Sequence, residues 1–141
     1  MPAIRFFLDT NVLLYQFDAT APRKARRADE LVELALRAGI GFISHQVAQE
    51  FCNGILCSIP SPLSPTGAEK YLAEVLAPLI AVESSLDLLR SGLRLYERYR
   101  LAWYDALIVA AAQQARCSIL YSEDFQHGQH FDSVRVINPF R

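Results

Sequence analysis

Cysteine and net charge are both scarce in this sequence. Its three cysteines, Cys52, Cys57 and Cys117, are odd in number and lack the paired spacing of a zinc site. We therefore expect reduced, mostly buried thiols in a cytoplasmic protein. The formal net charge of -1 provides no basic field over the whole molecule. Any contact with nucleic acid must then come from local basic patches and bound cations.

Long apolar runs and nucleotide-binding motifs are missing as well. Asp9 interrupts the early apolar run at residues 4–8, so we expect no secretory signal peptide, and the run at residues 106–112 is too short to cross a membrane. No dinucleotide fingerprint and no phosphate-binding loop with its lysine is present. At 141 residues, 52% hydrophobic and 21% charged, the chain predicts one folded domain over residues 1–141 that does not associate with a membrane.

Short apolar runs alternate with amphipathic segments along the chain. Strands are predicted at residues 4–8, 41–43, 79–82, 119–121 and, more weakly, 134–137. Helices are predicted to begin near residue 11 and at residue 45, and to span residues 22–37, 66–76, 85–98 and 104–115. This alternation predicts an α/β fold with a central, mainly parallel, twisted sheet of four to five strands and helices on both faces. Residues 59–65, with three prolines, are predicted to form a loop.

Polar residues, glycine and proline mark the predicted helix ends. Thr10, Ser44 and Thr66 are the predicted N-caps, while Gly39 and Pro78 are predicted to end the preceding helices. The helix at residues 85–98 carries a row of apolar side chains in helical register: Leu86, Leu89, Leu93 and Tyr96.

Four acidic residues occupy equivalent positions in this predicted topology. Asp9 and Asp124 follow strands, Glu50 lies in the first two turns of the helix after the second strand, and Asp105 lies in the first turn of its helix. Ligands of such sheets bind at the carboxyl ends of the strands, so we expect all four at one crevice. Each acid alone has an ordinary alternative, as a turn, a helix cap or a loop residue. Together they predict a carboxylate cluster that holds Mg²⁺ or Mn²⁺.

Other candidate residues are weaker. His127 and His130 have a spacing compatible with a metal, but solvated loop histidines are the simpler interpretation. Trp103 and Tyr104 are interpreted as packing residues at a helix start rather than as base-stacking residues. A basic group near the start of the second helix forms either a solvated face or a patch that contacts phosphates. That group consists of Arg23, Lys24, Arg26 and Arg27.

Four short segments resemble the motifs of PIN-domain nucleases. They are Leu-Asp-Thr-Asn at residues 8–11, the segment 44–50 that ends in Glu50, Tyr-Asp-Ala-Leu-Ile at residues 104–108, and Ser-Glu-Asp at residues 122–124. Their order and the chain length match too, so the resemblance covers essentially the whole chain. Within that family, the compact chain is similar to the VapC-type toxins of bacterial toxin–antitoxin pairs.

The resemblance implies a Mg²⁺- or Mn²⁺-dependent ribonuclease, a hydrolase of phosphodiester bonds. It also implies a homodimer and a small VapB-like antitoxin partner. The implied catalytic residues are Asp9, Glu50, Asp105 and Asp124, of which Asp9, Asp105 and Asp124 are the implied metal ligands. Asn11 and Ser122 are implied as supporting polar residues. Glu123 adjoins Asp124 and competes for the fourth role, although the family spacing Ser-x-Asp favours Asp124.

Three alternatives remain open from the sequence. A receiver or phosphatase-like phosphoryl-transfer domain also places an aspartate after the first strand, but a phosphatase needs a second acid where this chain has Asn11, and a receiver needs a lysine that residues 119–125 lack. A non-catalytic PIN domain that binds RNA or protein usually lacks some of the acids. A DNA flap nuclease needs inserted elements for which 141 residues leave little room.

Overall fold

A computed structural model describes residues 4–58 and 63–141 and contains a six-stranded sheet in the order β3-β2-β1-β4-β6-β5. The strands are β1 (Phe6–Leu8), β2 (Gly41–Ser44), β3 (Ile80–Val82), β4 (Ile119–Tyr121), β5 (His130–Phe131) and β6 (Val134–Ile137). All neighbouring strands are parallel except β5, which pairs antiparallel with β6. The predicted α/β fold is therefore confirmed, with β5 as an additional strand that the sequence did not predict.

The helices connect these strands in an α/β order. They are α1 (Thr10–Tyr15), α2 (Pro22–Ala38), α3 (His45–Asn53), α4 (Pro65–Tyr71), α5 (Ala77–Leu79), α6 (Leu86–Tyr99) and α7 (Trp103–Gln114). A π-helical segment, Gly54–Ser58, follows α3, and another, Leu72–Leu76, joins α4 to α5. Within the two described ranges, no helix is long and apolar enough to cross a membrane.

Several helix boundaries agree with the sequence patterns. Ser44 caps α3 by accepting a hydrogen bond from the Val47 amide at 3.3 Å. Gly39 ends α2 in the left-handed conformation with φ of 66°, which a glycine adopts without steric cost. These two residues place α2 and α3 directly before and after β2.

Three predicted boundaries are wrong. Asp9, not Thr10, caps α1, because its carboxylate accepts from the Thr10 amide at 2.7 Å. Ser64, not Thr66, caps α4, since the following proline favours the first helical position. Pro78 does not end the helix, because it lies in the first turn of α5, where the missing amide proton has no helical partner. Of the predicted loop at 59–65, residues 59–62 lie outside the described residues.

The core lies between the sheet and the helices on its two faces. Helix α7 is buried from Ala106 to Ala112 and packs against β2, β4 and β6, with α6 packed on it.

Along the sheet, the chain runs from β1 to β2 to β3 in one direction and then crosses back to β4. Right-handed crossovers therefore place α2 and α7 on opposite faces of the sheet. The direction reverses between β1 and β4, and a crevice opens there beyond the strand ends.

Close contact between α2 and the sheet depends on Gly41 in β2. A Cβ atom at this position would lie 2.3 Å from the Ala35 Cβ of α2 and 2.6 Å from Cε2 of Phe6 in β1. Both distances are far shorter than a van der Waals contact. Only glycine therefore allows α2 to pack this closely over β1 and β2.

Helix α6 presents its predicted apolar row to solvent. The buried residues on α6 are Leu88, Gly92 and Leu95. The row that the sequence placed in register is instead 42% to 69% exposed. It comprises Leu86, Leu89, Leu93 and Tyr96. The helix therefore has two apolar faces, of which one packs on α7 and the other lies at the surface.

Candidate active site

The site begins where β1 and β4 end side by side. Asp9 follows β1, and its amide donates to the Tyr121 carbonyl of β4 at 3.0 Å. The carboxylate of Asp9 is almost completely buried. It accepts from the Ser122 hydroxyl at 2.7 Å, across 113 residues of sequence, and from the Thr10 amide at 2.7 Å. The pairing of two central strands thus fixes Asp9 and Ser122 against each other.

Asn11 holds the loop that carries Asp124. Its amide nitrogen donates to Asp124 Oδ2 at 3.0 Å and to Ser122 Oγ at 3.4 Å, and its amide oxygen accepts from the Glu123 backbone at 3.3 Å. The Asp124 amide in turn donates to Ser122 Oγ at 3.1 Å. Asn11 and Ser122 therefore contact the acids Asp9 and Asp124 directly.

Glu50 and Asp105 approach the same crevice from α3 and α7. The Thr10 hydroxyl donates to Glu50 Oε1 at 2.9 Å, which ties α3 to the start of α1. Asp105 lies in the first turn of α7. Gln46 of α3 donates to the Tyr104 carbonyl at 3.2 Å and so joins α3 to the start of α7.

Burial and the charges of neighbouring acids raise the pKa values of three of the acids. Burial raises the pKa of Asp9 from 3.8 to about 7, since the hydrogen bonds from Ser122 and Thr10 only partly oppose it and the charges of Asp124 and Glu50 add to it. Burial also raises the pKa of Glu50, as do the charges of Asp105 and Asp124. Burial and the charge of Asp124 raise the pKa of Asp105. The four predicted acids thus lie within electrostatic range of one another.

The donor chemistry of this cluster fits a hard divalent cation. Carboxylate oxygens are the ligands that Mg²⁺ and Mn²⁺ prefer, and Mg²⁺ is commonly held by only one or two carboxylates together with waters. Within residues 4–58 and 63–141, no three acidic, histidine or cysteine side chains form a compact metal-binding group. Each ionised carboxylate keeps free lone pairs beyond its bonds to Ser122, Thr10 or Asn11. The cluster therefore suits a cation that retains part of its water shell.

Glu123 turns away from this cluster. It forms a 2.6 Å ion pair with Lys24 and accepts from the Tyr15 hydroxyl at 2.6 Å. Partial burial works against ionisation, but these two donors hold the pKa of Glu123 below its usual range. The structure therefore places Asp124 with the other acids and Glu123 with α1 and α2. Lys24, which the sequence grouped with the arginines, is occupied by this ion pair.

The other sequence candidates separate into different regions. All four basic residues, Arg23, Lys24, Arg26 and Arg27, line one pocket of about 280 Å³ at the start of α2, together with Glu30, Pro139, Phe140 and Arg141. His127 accepts from the backbone amide of Asn138, and His130 lies in β5 with an exposed side chain. Among the cysteines only Cys117 is buried, while Cys57 is exposed and Cys52 is partly exposed. The prediction of mostly buried thiols is therefore wrong.

Two residues near the acids were missed or misread in the sequence. Thr10, predicted as a cap, contributes its hydroxyl to Glu50. Tyr104, predicted as a packing residue, is 65% exposed and lines a pocket beside Glu50. Its position one residue before Asp105 was the available signal, since α7 is buried on the faces that follow.

Comparisons with known proteins identify the family of this chain. The family model described as PIN domain matches residues 6–131. No curated protein sequence matches the chain at a significant level.

Solved structures share the fold at low sequence identity. A toxin–antitoxin complex from Klebsiella pneumoniae matches with a TM-score of 0.66 and 21% identity, over 94% of this chain and 96% of that one. FitAB bound to an IR36 DNA fragment matches with a TM-score of 0.65 and 19% identity, over 96% of both chains. VapC20 from Mycobacterium tuberculosis, described as a toxin that cleaves the sarcin–ricin loop, matches with a TM-score of 0.61 and 20% identity, over 92% of this chain and 98% of that one.

Proposed function

The chain belongs to the PIN domain family, and from that premise we propose that it is a divalent-cation-dependent endoribonuclease and the toxin of a toxin–antitoxin pair. The observation that carries this proposal is the arrangement of Asp9, Glu50, Asp105 and Asp124 around one crevice, where each of three pKa values is raised by burial and by neighbouring acids. A carboxylate cluster of this kind is stabilised by a bound cation.

The proposed roles of the acids rest on their shared electrostatic environment and on the hydrogen bonds of Asp9, Glu50 and Asp124. Asp9 and Asp105 would hold Mg²⁺ or Mn²⁺ directly, and Asp124 directly or through a water. The cation would supply Lewis acidity toward the scissile phosphate and would lower the pKa of the attacking water. Glu50, fixed by the Thr10 hydroxyl, orients the water and accepts its proton. Ser122 holds Asp9 in position, which reduces the reorganisation that the site needs.

Asn11 keeps Asp124 within the cluster while Glu123 stays outside it. Its amide nitrogen and oxygen contact the Asp124 carboxylate and the Glu123 backbone, respectively. We assign Asn11 to positioning, because all of its described contacts are to the loop that carries the acid. Glu123, neutralised by Lys24, is assigned no role as a metal ligand.

RNA phosphates are the proposed ligands of the basic pocket at the start of α2. Arg23 and Arg26 have no acidic partner among the described residues, whereas Arg27 pairs with Glu30 at 3.4 Å. Lys24, committed to Glu123, is the weakest member of the original group of four. Positively charged side chains attract the RNA backbone, which the acidic site repels.

Two protein partners complete the proposal. We propose an antitoxin of the VapB type as partner in the cytoplasm, because two structural relatives are described as a toxin–antitoxin complex and as FitAB. We also propose a homodimer formed through the exposed apolar row of α6, since such a row of large apolar side chains is costly to leave in water.

The decisive experiment is cleavage of total cellular RNA by the purified, partner-free protein. Discrete fragments are expected with Mg²⁺ or Mn²⁺ and not with EDTA, and Asp9→Asn and Asp105→Asn should abolish them. The matched control is Asp87→Asn, because Asp87 is also a first-turn helix acid but has a 91% exposed side chain on α6. Cleavage that survives in both site variants, or that is lost equally in the control, refutes the assignment.

A further inference from the structure

A concave pocket of about 390 Å³ lies directly beside the acid cluster, between α3 and the start of α7. One aromatic ring, three amides and one carboxylate line it: Tyr104, Gln46, Gln49, Asn53 and Glu50. None of these described lining residues is cationic, so the pocket does not suit a phosphate. Its chemistry suits a neutral, planar group with hydrogen-bonding edges.

Tyr104 supplies an exposed aromatic surface in this pocket. Its side chain is 65% exposed, although it lies on a helix that is otherwise deeply buried. The neighbouring Trp103 packs edge-on against Tyr96, with ring centroids 6.4 Å apart. Gln46 donates to the Tyr104 carbonyl at 3.2 Å and so fixes the backbone of Tyr104 relative to α3. An exposed ring on a rigid backbone is the kind of platform on which nucleic-acid bases stack.

Two amides provide the polar edge of the pocket. Gln49 and Asn53 are four residues apart on α3, so they lie on the same face of the helix. Both are exposed, and neither side-chain amide forms a hydrogen bond to another described residue. A carboxamide both donates and accepts, which lets it pair with the edge of an unpaired base.

We propose that this pocket binds one unpaired RNA base next to the scissile phosphate, stacked on Tyr104 and hydrogen-bonded by Gln49 and Asn53. The proposal rests on the proposed nuclease function, because Glu50 belongs both to the pocket and to the acid cluster. The pocket then selects looped or single-stranded RNA, whose bases are free to leave the stack. It also determines which nucleotide lies at the cleavage position.

The test measures the binding of short homopolymeric oligoribonucleotides by fluorescence anisotropy in EDTA, where no cleavage interferes. Tyr104→Ala should weaken binding by roughly 5- to 100-fold, which corresponds to the loss of one base stack. Tyr104→Phe keeps the ring and should bind as the wild type does. Gln49→Ala and Asn53→Ala should change the ranking of the A, C and U oligonucleotides. The amide control is Gln114→Ala at the other end of α7, about 15 Å along the helix axis from Tyr104.

The outcomes separate this proposal from the nuclease function. If Tyr104→Ala binds every oligonucleotide as the wild type does, or if the wild type binds none, the base pocket is refuted even when total RNA is cleaved. If the amide variants leave the ranking unchanged, the hydrogen-bonding part is refuted. If Tyr104→Ala weakens binding while no RNA is cleaved with either cation, base binding is supported and the nuclease function fails. Thermal melting of each variant excludes a folding defect as the cause.

Discussion

Replacing Asp9 with asparagine should stabilise the cation-free protein at alkaline pH. A pKa raised from 3.8 to about 7 means that the ionised form destabilises the fold by about 4 kcal/mol. Asparagine removes this charge. It also replaces one of the two carboxylate oxygens, which accept from Ser122 and Thr10, with an amide nitrogen, at a cost of about 1 to 2 kcal/mol. The net gain is about 2 kcal/mol, or about 8 °C in melting temperature for a chain of this size.

The sign of this effect changes with pH. Because the folded-state pKa lies above the unfolded value of 3.8, the folded state binds the proton more tightly, and the penalty on the wild type grows as pH rises from about 4 to about 7. Below pH 4 both states are protonated at Asp9 and the penalty vanishes. The variant should therefore be less stable than the wild type at pH 4 and more stable at pH 8, and the two stability curves should cross at about pH 5.

The assay is urea unfolding of wild type and Asp9→Asn in EDTA between pH 4 and 9. The control is Asp29→Asn, because Asp29 is an exposed carboxylate that accepts a hydrogen bond from Gln16. The control should change stability little and by the same amount at every pH. If Asp9→Asn is not more stable than the wild type at pH 8, or if its stability difference does not vary with pH, then neither burial nor the neighbouring charges of Glu50 and Asp124 destabilise the aspartate.

Three further predictions test separate parts of the structure. Gly41→Ala should lower the free energy of unfolding by about 3 kcal/mol or more, because its Cβ would lie 2.3 Å from a helix α2 atom. Gly39→Ala has open space around it and should lower the free energy of unfolding by only about 1 to 2 kcal/mol, because of its positive φ. Urea unfolding of the two variants measures the difference. Ser122→Ala removes a buried donor from Asp9, the proposed metal ligand, so RNA cleavage should fall while circular dichroism shows a retained fold. Undiminished cleavage would contradict the proposed positioning role of Ser122. Converting Arg23 and Arg26 to Gln should weaken RNA binding and reduce the slope of log affinity against log salt by about 2; an unchanged slope would place the RNA elsewhere.

The strands β1, β2, β3, β4 and β6 and the helix α7 were predicted well from the sequence because each corresponds to a local run of apolar residues. The run at residues 106–112 is too apolar for any surface, and it is buried in the structure. Strand β5 was missed because its two residues carry no periodic signal and exist as a strand only through pairing with β6. The outward face of α6 was not predictable either. Both sides of that helix are apolar, and only the packing of α7 decides which side is covered.

Some features of the candidate site were likewise predictable from the sequence, and others were not. The proximity of Asp9 and Asp124 followed from topology, since residues after parallel strands converge at one edge of the sheet. The contacts that surround them did not follow, because they join distant segments through side-chain geometry. The Lys24–Glu123 ion pair spans 99 residues, and the Thr10 hydroxyl reaches Glu50 across 40. The exposure of Tyr104 depends on how α7 meets α3, which no local pattern describes.

The pairing of β1 with β4 has a consequence for synthesis of the protein. Asp9 is made early, but its hydrogen-bonding partner Ser122 is the 122nd residue, and Asp124 follows it. A growing chain that stops before this point lacks the strand that supports Asp9 and lacks the fourth acid. Truncated or still-growing chains are therefore expected to lack a complete candidate site, and under the proposed function they should not cleave RNA. The order of the sheet thus delays assembly of the candidate site until β4 and the residues that follow it have been made.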